Sequence, residues 1–471
     1  MQLMWFRRDL RVEDNTALQS ALNTQQPVYA IYIATPTTWQ QHDLSAIQAD
    51  LIYRRLFELQ NDLARLNVPL LYLEVETYQQ SVDALLELSQ TLQAERIVFN
   101  REYEVNELAR DARLSDRAPI DVRGVDDKCL FPPGSVLNQQ GQYFKVFTPF
   151  KRKYLARLET EPLVISKTQP AAAMPSHDID DGSLPVFSVH SPFTYPRDSS
   201  QSYPVATRAI RQRLRDFCDE TIDRYQLERD RPALDSTSQL SPYLAIGALS
   251  VRQCLARAQF GCSPPLNDGR ETWVSELVWR DFYQHLLHFE PKLAKGHNFV
   301  VWTEKVRWPG SSAHLELWQQ GKTGYPIVDA AMRQLNQTGW MHNRLRMVVA
   351  SFLTKDLHVH WREGERYFMQ RLVDGDYAAN NGGWQWSAST GCDGQPYFRI
   401  FNPIAQGERF DPKGEFVRKW VPELQSVPDK YIHQPWKWTE SDNLFYPKPM
   451  VDHKSEREIT LCLFQDAKDF S

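Results

Sequence analysis

Val28-Tyr-Ala-Ile-Tyr-Ile33 is a run of apolar and aromatic residues with no charge and no turn former. A strand wetted on one face alternates apolar with polar, whereas a short continuous run suits a strand buried on both faces. Three comparable runs accompany it, at 3–6, 70–75 and 97–100, each mostly apolar and rich in β-branched or aromatic residues. Amphipathic helical patterns fill the intervals, at 14–22, 45–66 and 78–92. Strands alternating with helices predict a parallel sheet covered by helices. No Gly-x-Gly-x-x-Gly follows any of these strands, so the dinucleotide fingerprint is absent.

Outward from that core the pattern changes twice. From about 161 to 204 the chain is dense in Pro, Ser, Asp and Ala and holds no period, which reads as a surface connection between domains. Beyond 204 helical runs dominate, among them 206–218, 242–258 and 272–288. The expected architecture is a Rossmann-like α/β domain over 1–130, a linker over 131–204 and a larger all-α domain over 205–471.

The whole chain narrows the function. Its 471 residues exceed one ordinary core, and 42% hydrophobic with 24% charged residues is the balance of a globular protein. A formal net charge of -5 speaks against a protein basic throughout, but phosphate binding needs only a local patch. The cysteines form no Cys-x-x-Cys pair, so neither a zinc ribbon nor a disulfide framework is indicated. His285 with His288, or His358 with His360, lacks a third metal ligand, so no metal is expected. Arg7, Arg8 and Asp9 leave no room for a signal peptide, and no apolar run spans a bilayer; a cytoplasmic protein is expected.

Four stretches carry chemistry. In Asp235-Ser-Thr-Ser-Gln-Leu-Ser241-Pro242, Ser241 reads as an N-cap and Pro242 as a first helical residue. Thr237, Ser238 and Ser241 then gather hydroxyls at a helix start able to hold a diphosphate, although an ordinary capped helix would look the same. In Trp273-Val-Ser-Glu276-Leu-Val-Trp279-Arg280-Asp-Phe-Tyr283, helical spacing sets Glu276 one turn from Trp273, Trp279, Arg280 and Tyr283. A carboxylate among large aromatics suits a stacked, hydrogen-bonding ligand. In Gly339-Trp-Met-His-Asn343-Arg344-Leu-Arg346-Met347, Asn343, Arg346 and Met347 share a face, and Asp374 or Asp376 could partner Arg346. Asp374-Gly375-Asp376-Tyr-Ala-Ala-Asn380-Asn-Gly-Gly-Trp384-Gln-Trp386 reads as a loop whose backbone can approach a flat ligand.

In order along nearly the whole chain, these stretches and four others resemble the photolyase/cryptochrome flavoproteins, most of all the bacterial cyclobutane pyrimidine dimer photolyases. The others are Trp5-Phe-Arg-Arg-Asp-Leu-Arg11 with Tyr103-Glu-Val-Asn106-Glu107, Lys145-Val-Phe-Thr-Pro-Phe150, and Gly324-Tyr-Pro-Ile-Val-Asp-Ala-Ala-Met-Arg333. The resemblance implies a deoxyribodipyrimidine photo-lyase with an antenna domain followed by an FAD domain. In it, excited reduced FAD gives an electron to a flipped-out dimer in ultraviolet-damaged DNA. It assigns FAD to Tyr225, Thr237, Ser238, Gln239 (where Arg is common), Leu240, Ser241, Trp273, Glu276, Arg280, Asn343, Arg346, Asp374, Gly375, Asp376 and Asn380. Arg346 pairs with Asp374 in that pattern, and Asn380 faces flavin N5. Glu276, Trp279, Asn343, Met347 and Trp386 match the lesion pocket, and Asn380 completes the catalytic set.

The same resemblance gives DNA contacts to Arg229, Arg344, Arg399 and Gln406, and an electron-transfer chain to Trp384, Trp361 and Trp308. Asn106, Glu107 and Lys295 match a folate antenna site, which implies methenyltetrahydrofolate; Ala294 stands there where Cys is common. A monomer is expected, with no membrane partner. The rival is a cryptochrome-type blue-light sensor on the same fold. The presence of Trp279, Met347 and Trp386, and a chain that stops at Asp469-Phe-Ser471, favour repair. Asn343 and Met347 stand where (6-4) enzymes usually carry His, and Trp386 where DASH-type proteins tend to carry Tyr. A simple nucleotide-binding protein would leave the tryptophan chain unexplained.

Overall fold

Five strands, β1 (Gln2–Phe6), β2 (Val28–Ala34), β3 (Leu70–Glu74), β4 (Arg96–Asn100) and β5 (Asp121–Val125), pair in parallel in the order β3-β2-β1-β4-β5. The structure is a computed structural model, which describes residues 1–161, 163–172, 184–262 and 266–469. In register, Trp5 stands beside Ile31 and Leu3 beside Ile97, and β1 and β2 are buried along their full length, as continuous apolar runs require. The order reverses between β1 and β4, the position where open parallel sheets place ligands. β5 was outside the expected set because Asp-Val-Arg-Gly-Val is a partly exposed edge strand with no apolar run.

The described residues divide into two compact units. One comprises Met1–Asp223, Ser238–Pro291 and Val373–Gly375; the other comprises Arg224–Thr237, Lys292–Leu372 and everything from Asp376 onward. The first holds the sheet and its helices. Within it, helix Val105–Arg117 buries Glu107, Arg110 and Asp111 beside a single Leu, so hydrophobic periodicity does not reveal it. In the region expected to connect domains, Val186 bridges Leu71 and Phe187 N–H bonds Leu70 O at 2.9 Å, so this stretch lies along the outer edge of β3. The parts of that expectation at 162 and 173–183, and the last two residues of the chain, lie outside the described residues.

The run 242–258 is two helices, not one. Ser241–Ala245 ends at a turn through Gly247, and Val251–Gln259 restarts from a capping box between Ser250 and Gln253. Gly247 has φ +67, and a Cβ there would lie 2.1 Å from Arg8 O, so both backbone conformation and close approach exclude a side chain. Helix Asp268–Phe289 then carries 22 residues, started by Asn267, whose side chain accepts from Arg270 N–H.

The second unit is helical around a core that includes Trp318, Leu335, Val349, Phe352, Trp361, Phe368 and Trp384. Asp374–Trp386 is not the expected loop. Asp376 caps helix Tyr377–Ala388 by accepting from Ala379 N–H at 3.1 Å, and both Trp384 and Trp386 ride on that helix. Its three alanines and its tryptophans fit a helix packed on a core, and that packing outweighs the low helix propensity of its glycines.

Candidate functional site

In the first unit the site residues cluster on helix Asp268–Phe289. Glu276, Trp279, Arg280 and Tyr283 recur at helical spacing and are half-buried, while Trp273, Leu277, Val278, Phe282 and Leu286 around them are buried. Between Trp273 and Leu287 the helix is buried except along this one stripe, which carries a carboxylate, a guanidinium and two aromatic rings. Trp279 lies flat on Phe147, with centroids 3.6 Å apart and planes at 7°, and Phe282 meets it edge-on at 5.7 Å. These contacts fix the indole plane before any ligand arrives. Arg280 donates to Lys128 O at 2.8 Å and to Asp281 at 3.0 Å.

The hydroxyl cluster is built differently from expectation. Leu240, not Ser241, is the N-cap position of the following helix, no side chain caps it, and the helix has only five residues. A dipole that short adds little for a diphosphate. Side chains supply the polarity instead. Trp273 Nε1 donates to Ser238 Oγ at 3.4 Å, and Arg213 donates to Ser238 O at 3.2 Å and to Gln239 Oε1 at 2.8 Å. Gln239 sits at φ +48, so that the peptide turns left-handed at this point. Arg213 is a residue the motif reading missed, because it lies on helix Thr207–Asp216, outside the motif.

Asn106 and Glu107 stand together in the first unit. Tyr78 Oη donates to Glu107 Oε1 at 2.9 Å, and exposed Asn106 meets His42 at 2.9 Å. Burial, with Glu104 and Glu102 nearby, pushes the Glu107 carboxyl up to about 7. Lys295 is exposed at the end of the Pro291–Lys295 turn in the second unit. At the sheet's reversal point a small cleft is lined by Arg8, Asn100, Glu102, Asp127, Lys128 and Arg280 among others.

In the second unit, helix Asn343–Lys355 starts from His342, whose ring accepts from Arg344 N–H at 3.2 Å; burial pushes that imidazole down to about 4. Asn343 is exposed, and Arg344, Arg346 and Met347 are half-buried. Arg346 donates to Met341 O at 2.8 Å, while Arg344 bonds Asp230 at 2.8 Å and lies over Phe410. Arg229 lies over Tyr225 and 3.9 Å from Asp230, so one carboxylate serves two arginines of the expected DNA contact set. Thr237 and Trp386 are half-buried, Arg399 is exposed, and Gln406 is half-buried on helix Pro403–Phe410.

Asn380 donates one amide hydrogen to Glu365 O at 2.9 Å, which sets the orientation of its side chain. One turn on, a Cβ added to Gly383 would meet nothing within 4 Å. The helix face that carries Asn380 thus opens on unfilled space, as a flat heterocycle requires. Within the second unit, amides and a guanidinium at Asn343, Arg346 and Asn380 are donor types that a phosphate and a polar ring system take up.

Trp384 and Trp361 are fully buried and Trp308 half-buried, a gradient from core to surface. Trp384 rests on Gly364, one turn into the helix that begins at Trp361, and is held edge-on by Phe368 at 5.0 Å and by Trp318 at 6.1 Å. Trp361 Nε1 donates to Asn298 Oδ1 at 3.0 Å. His360 contacts both Trp361 and Trp308, and Phe464 closes over the outer ring at 6.1 Å. The sequence raised His360 only as a metal ligand without partners, and Gly364 not at all, since each matters only for the rings it meets.

Two family models match the chain: DNA photolyase over residues 2–174, and the FAD binding domain of DNA photolyase over 273–466. The deoxyribodipyrimidine photo-lyase of Vibrio cholerae is 56% identical across 99% of this chain and 100% of its own. The chain belongs to the DNA photolyase family.

Among solved structures, an archaeal photolyase from Sulfolobus tokodaii with two FAD molecules superposes with a TM-score of 0.83 at 30% identity, covering 99% of this chain and all of that one. A Synechocystis cryptochrome reaches 0.86 at 27% identity, over 98% of this chain and 99% of its own. The α/β sheet followed by a helical part is thus the photolyase/cryptochrome fold, and the helical part carries the family's FAD-binding domain. Among the described residues no helix is long and apolar enough to cross a membrane, and no group of three His, Cys, Asp or Glu could hold a metal ion.

Proposed function

We propose that this photolyase repairs cyclobutane pyrimidine dimers in DNA under blue light. FAD, when bound, supplies the electron that opens the cyclobutane ring. The observation that carries the reading is the open stripe on helix Asp268–Phe289, where Trp279 is stacked flat on Phe147 one turn from Glu276. An indole fixed in this way offers an apolar shelf to the saturated face of a dimer, and the Glu276 carboxylate accepts from the imide N–H of a pyrimidine edge. A base pair hides that edge, so the dimer must leave the stack before it docks.

Asn343, Met347 and Trp386 join the lesion set on the resemblance, as do Arg229, Arg344, Arg399 and Gln406 for the strand. Residues 1–130 form the antenna domain in this reading, 131–204 the linker and 205–471 the FAD domain. Asn106, Glu107 and Lys295 hold methenyltetrahydrofolate. The enzyme works as a cytoplasmic monomer, with Ser238, Trp273, Arg280, Arg346 and Asn380 among the FAD contacts. High identity to a named photo-lyase favours repair over sensing, because the cryptochrome likeness is one of fold.

The test is blue-light repair of an oligonucleotide carrying one thymine dimer, run beside a (6-4) substrate, with the parent chain and Glu276→Ala. Repair of the thymine dimer alone, weakened in the variant, is expected. A buried acceptor or donor left unmatched costs about 1–3 kcal/mol, roughly a fivefold to 160-fold change. FAD-loaded protein that repairs neither lesion would overturn the enzyme reading and leave the sensor.

A further inference from the structure

One further aromatic ring touches both Trp361 and Trp308. The imidazole of His360 stacks on Trp361 at 5.8 Å and 28°, and meets Trp308 edge-on at 5.4 Å and 61°. Its Nδ1 accepts from Arg362 N–H at 3.2 Å, which makes His360 the N-cap of helix Trp361–Arg371. A nitrogen that accepts carries a lone pair, so the neutral ring here is the Nε2–H tautomer, and protonation at Nδ1 would set donor against donor.

We propose that His360 tunes the outer pair of the relay, Trp361 and Trp308, its imidazole held neutral by the helix cap so that no cation lies against the two indoles. The inference rests on the assignment of Trp384, Trp361 and Trp308 as an electron relay. In the hop, Trp308 gives one electron to an oxidised Trp361. Trp361 returns to neutral, and Trp308 becomes the radical cation. An external thiol restores Trp308, losing an electron to become a thiyl radical and its proton to water; the oxidant at the inner end is the photoexcited flavin of that assignment. The hole is positive wherever it rests on this pair, and an imidazolium in contact with both rings would repel it on Trp361 and on Trp308 alike, opposing its arrival from Trp384.

The surroundings favour the neutral ring. Burial is the largest influence and lowers the imidazole from its ordinary value, and Arg362 on its own helix acts in the same direction. Glu363 on that helix and Glu304 from the Val301–Lys305 turn act in the opposite sense. Arg307, beside Trp308, is paired at 3.3 Å with Asp466 of the C-terminal helix.

The experiment compares the holoenzyme with His360→Asn, which keeps a neutral helix cap, and with Trp308→Phe. Long-range 15N–1H NMR of the parent, with His360 assigned by difference from His360→Asn, reads tautomer and titration without relying on photochemistry. The Nε2–H form, titrating below the ordinary imidazole value or remaining neutral down to pH 5, is expected. An Nδ1–H ring, or titration at or above that value, overturns the proposal. Transient absorption then follows the Trp308 radical from pH 8 to pH 5. The parent and His360→Asn should match while His360 is neutral. Where it protonates, the parent should fall by about tenfold or more, as expected for unit charges this close, and the variant should not. Superimposed profiles across an observed titration overturn the proposal. If instead Trp308→Phe photoreduces as well as the parent, the relay assignment itself is wrong, whatever His360 does.

Discussion

Gly364→Ala places a methyl group against the ring expected to begin the electron relay. A Cβ at Gly364 would lie 2.1 Å from Trp384 Cη2, 2.5 Å from Cζ3 and 2.7 Å from Leu353 Cδ2. Ordinary contact begins at 3.4 Å, so the ring must yield 1.3 Å at its nearest atom. Trp384 cannot swing away easily, because Phe368 and Trp318 meet it edge-on at 5.0 and 6.1 Å. Overpacking of this kind costs about 1–3 kcal/mol, and so tight a site belongs at the upper end. Replacing a helical glycine by alanine returns about 1 kcal/mol.

The net loss is about 2 kcal/mol, read as a fall in Tm of roughly 4–8 °C for a unit of this size by circular dichroism. Photoreduction should slow in the same variant, because the indole that moves is the innermost relay ring. Gly383→Ala is the control for apoprotein: its Cβ meets nothing, so Tm should hold or rise by the propensity gain alone. If Gly364→Ala melted at or above the parent temperature, Trp384 would have room to move and the claim that packing fixes it would fail.

Trp308→Phe keeps an aromatic ring but is much harder to oxidise. Chemically reduced beforehand, this variant should repair thymine dimers at near the parent rate, and starting from oxidised flavin it should photoreduce poorly; loss of repair in the prereduced sample would place Trp308 on the lesion route. Arg344→Ala should weaken binding to damaged DNA and reduce the slope of log affinity against log salt by at most about one unit, because Asp230 already holds part of that charge. An unchanged affinity throughout a salt titration would remove Arg344 from the interface. Glu107→Gln tests the buried carboxyl raised to about 7. A carboxyl raised on folding contributes its full stability below its unfolded value near 4.5 and loses it as pH climbs towards 7. The variant should therefore gain Tm relative to the parent at pH 8, with the gain vanishing near pH 4.5, and a constant difference over that range would refute the raised value.

Sequence alone reached the parallel sheet, because β1 and β2 are buried on both faces and a strand in that position must be apolar throughout. It reached the open stripe of Glu276, Trp279, Arg280 and Tyr283 as well, since helical spacing fixes which side chains share a face. Its errors follow one physical pattern. Helix Val105–Arg117 buries charges that pair with one another, and so presents no apolar period. Asp374–Trp386 carries glycines that suggest a loop, yet Asp376 caps a helix there and the core holds Trp384. The run 242–258 breaks at Gly247 because the backbone of Arg8, distant in sequence, comes too close for any side chain. What tertiary structure alone decided are the contacts between residues far apart in the chain: Phe147 under Trp279, Asp230 on Arg344, Gly364 beneath Trp384, and His360 against Trp308. Periodicity records which way a side chain points, but not what meets it there, and these rings and charges act through their neighbours.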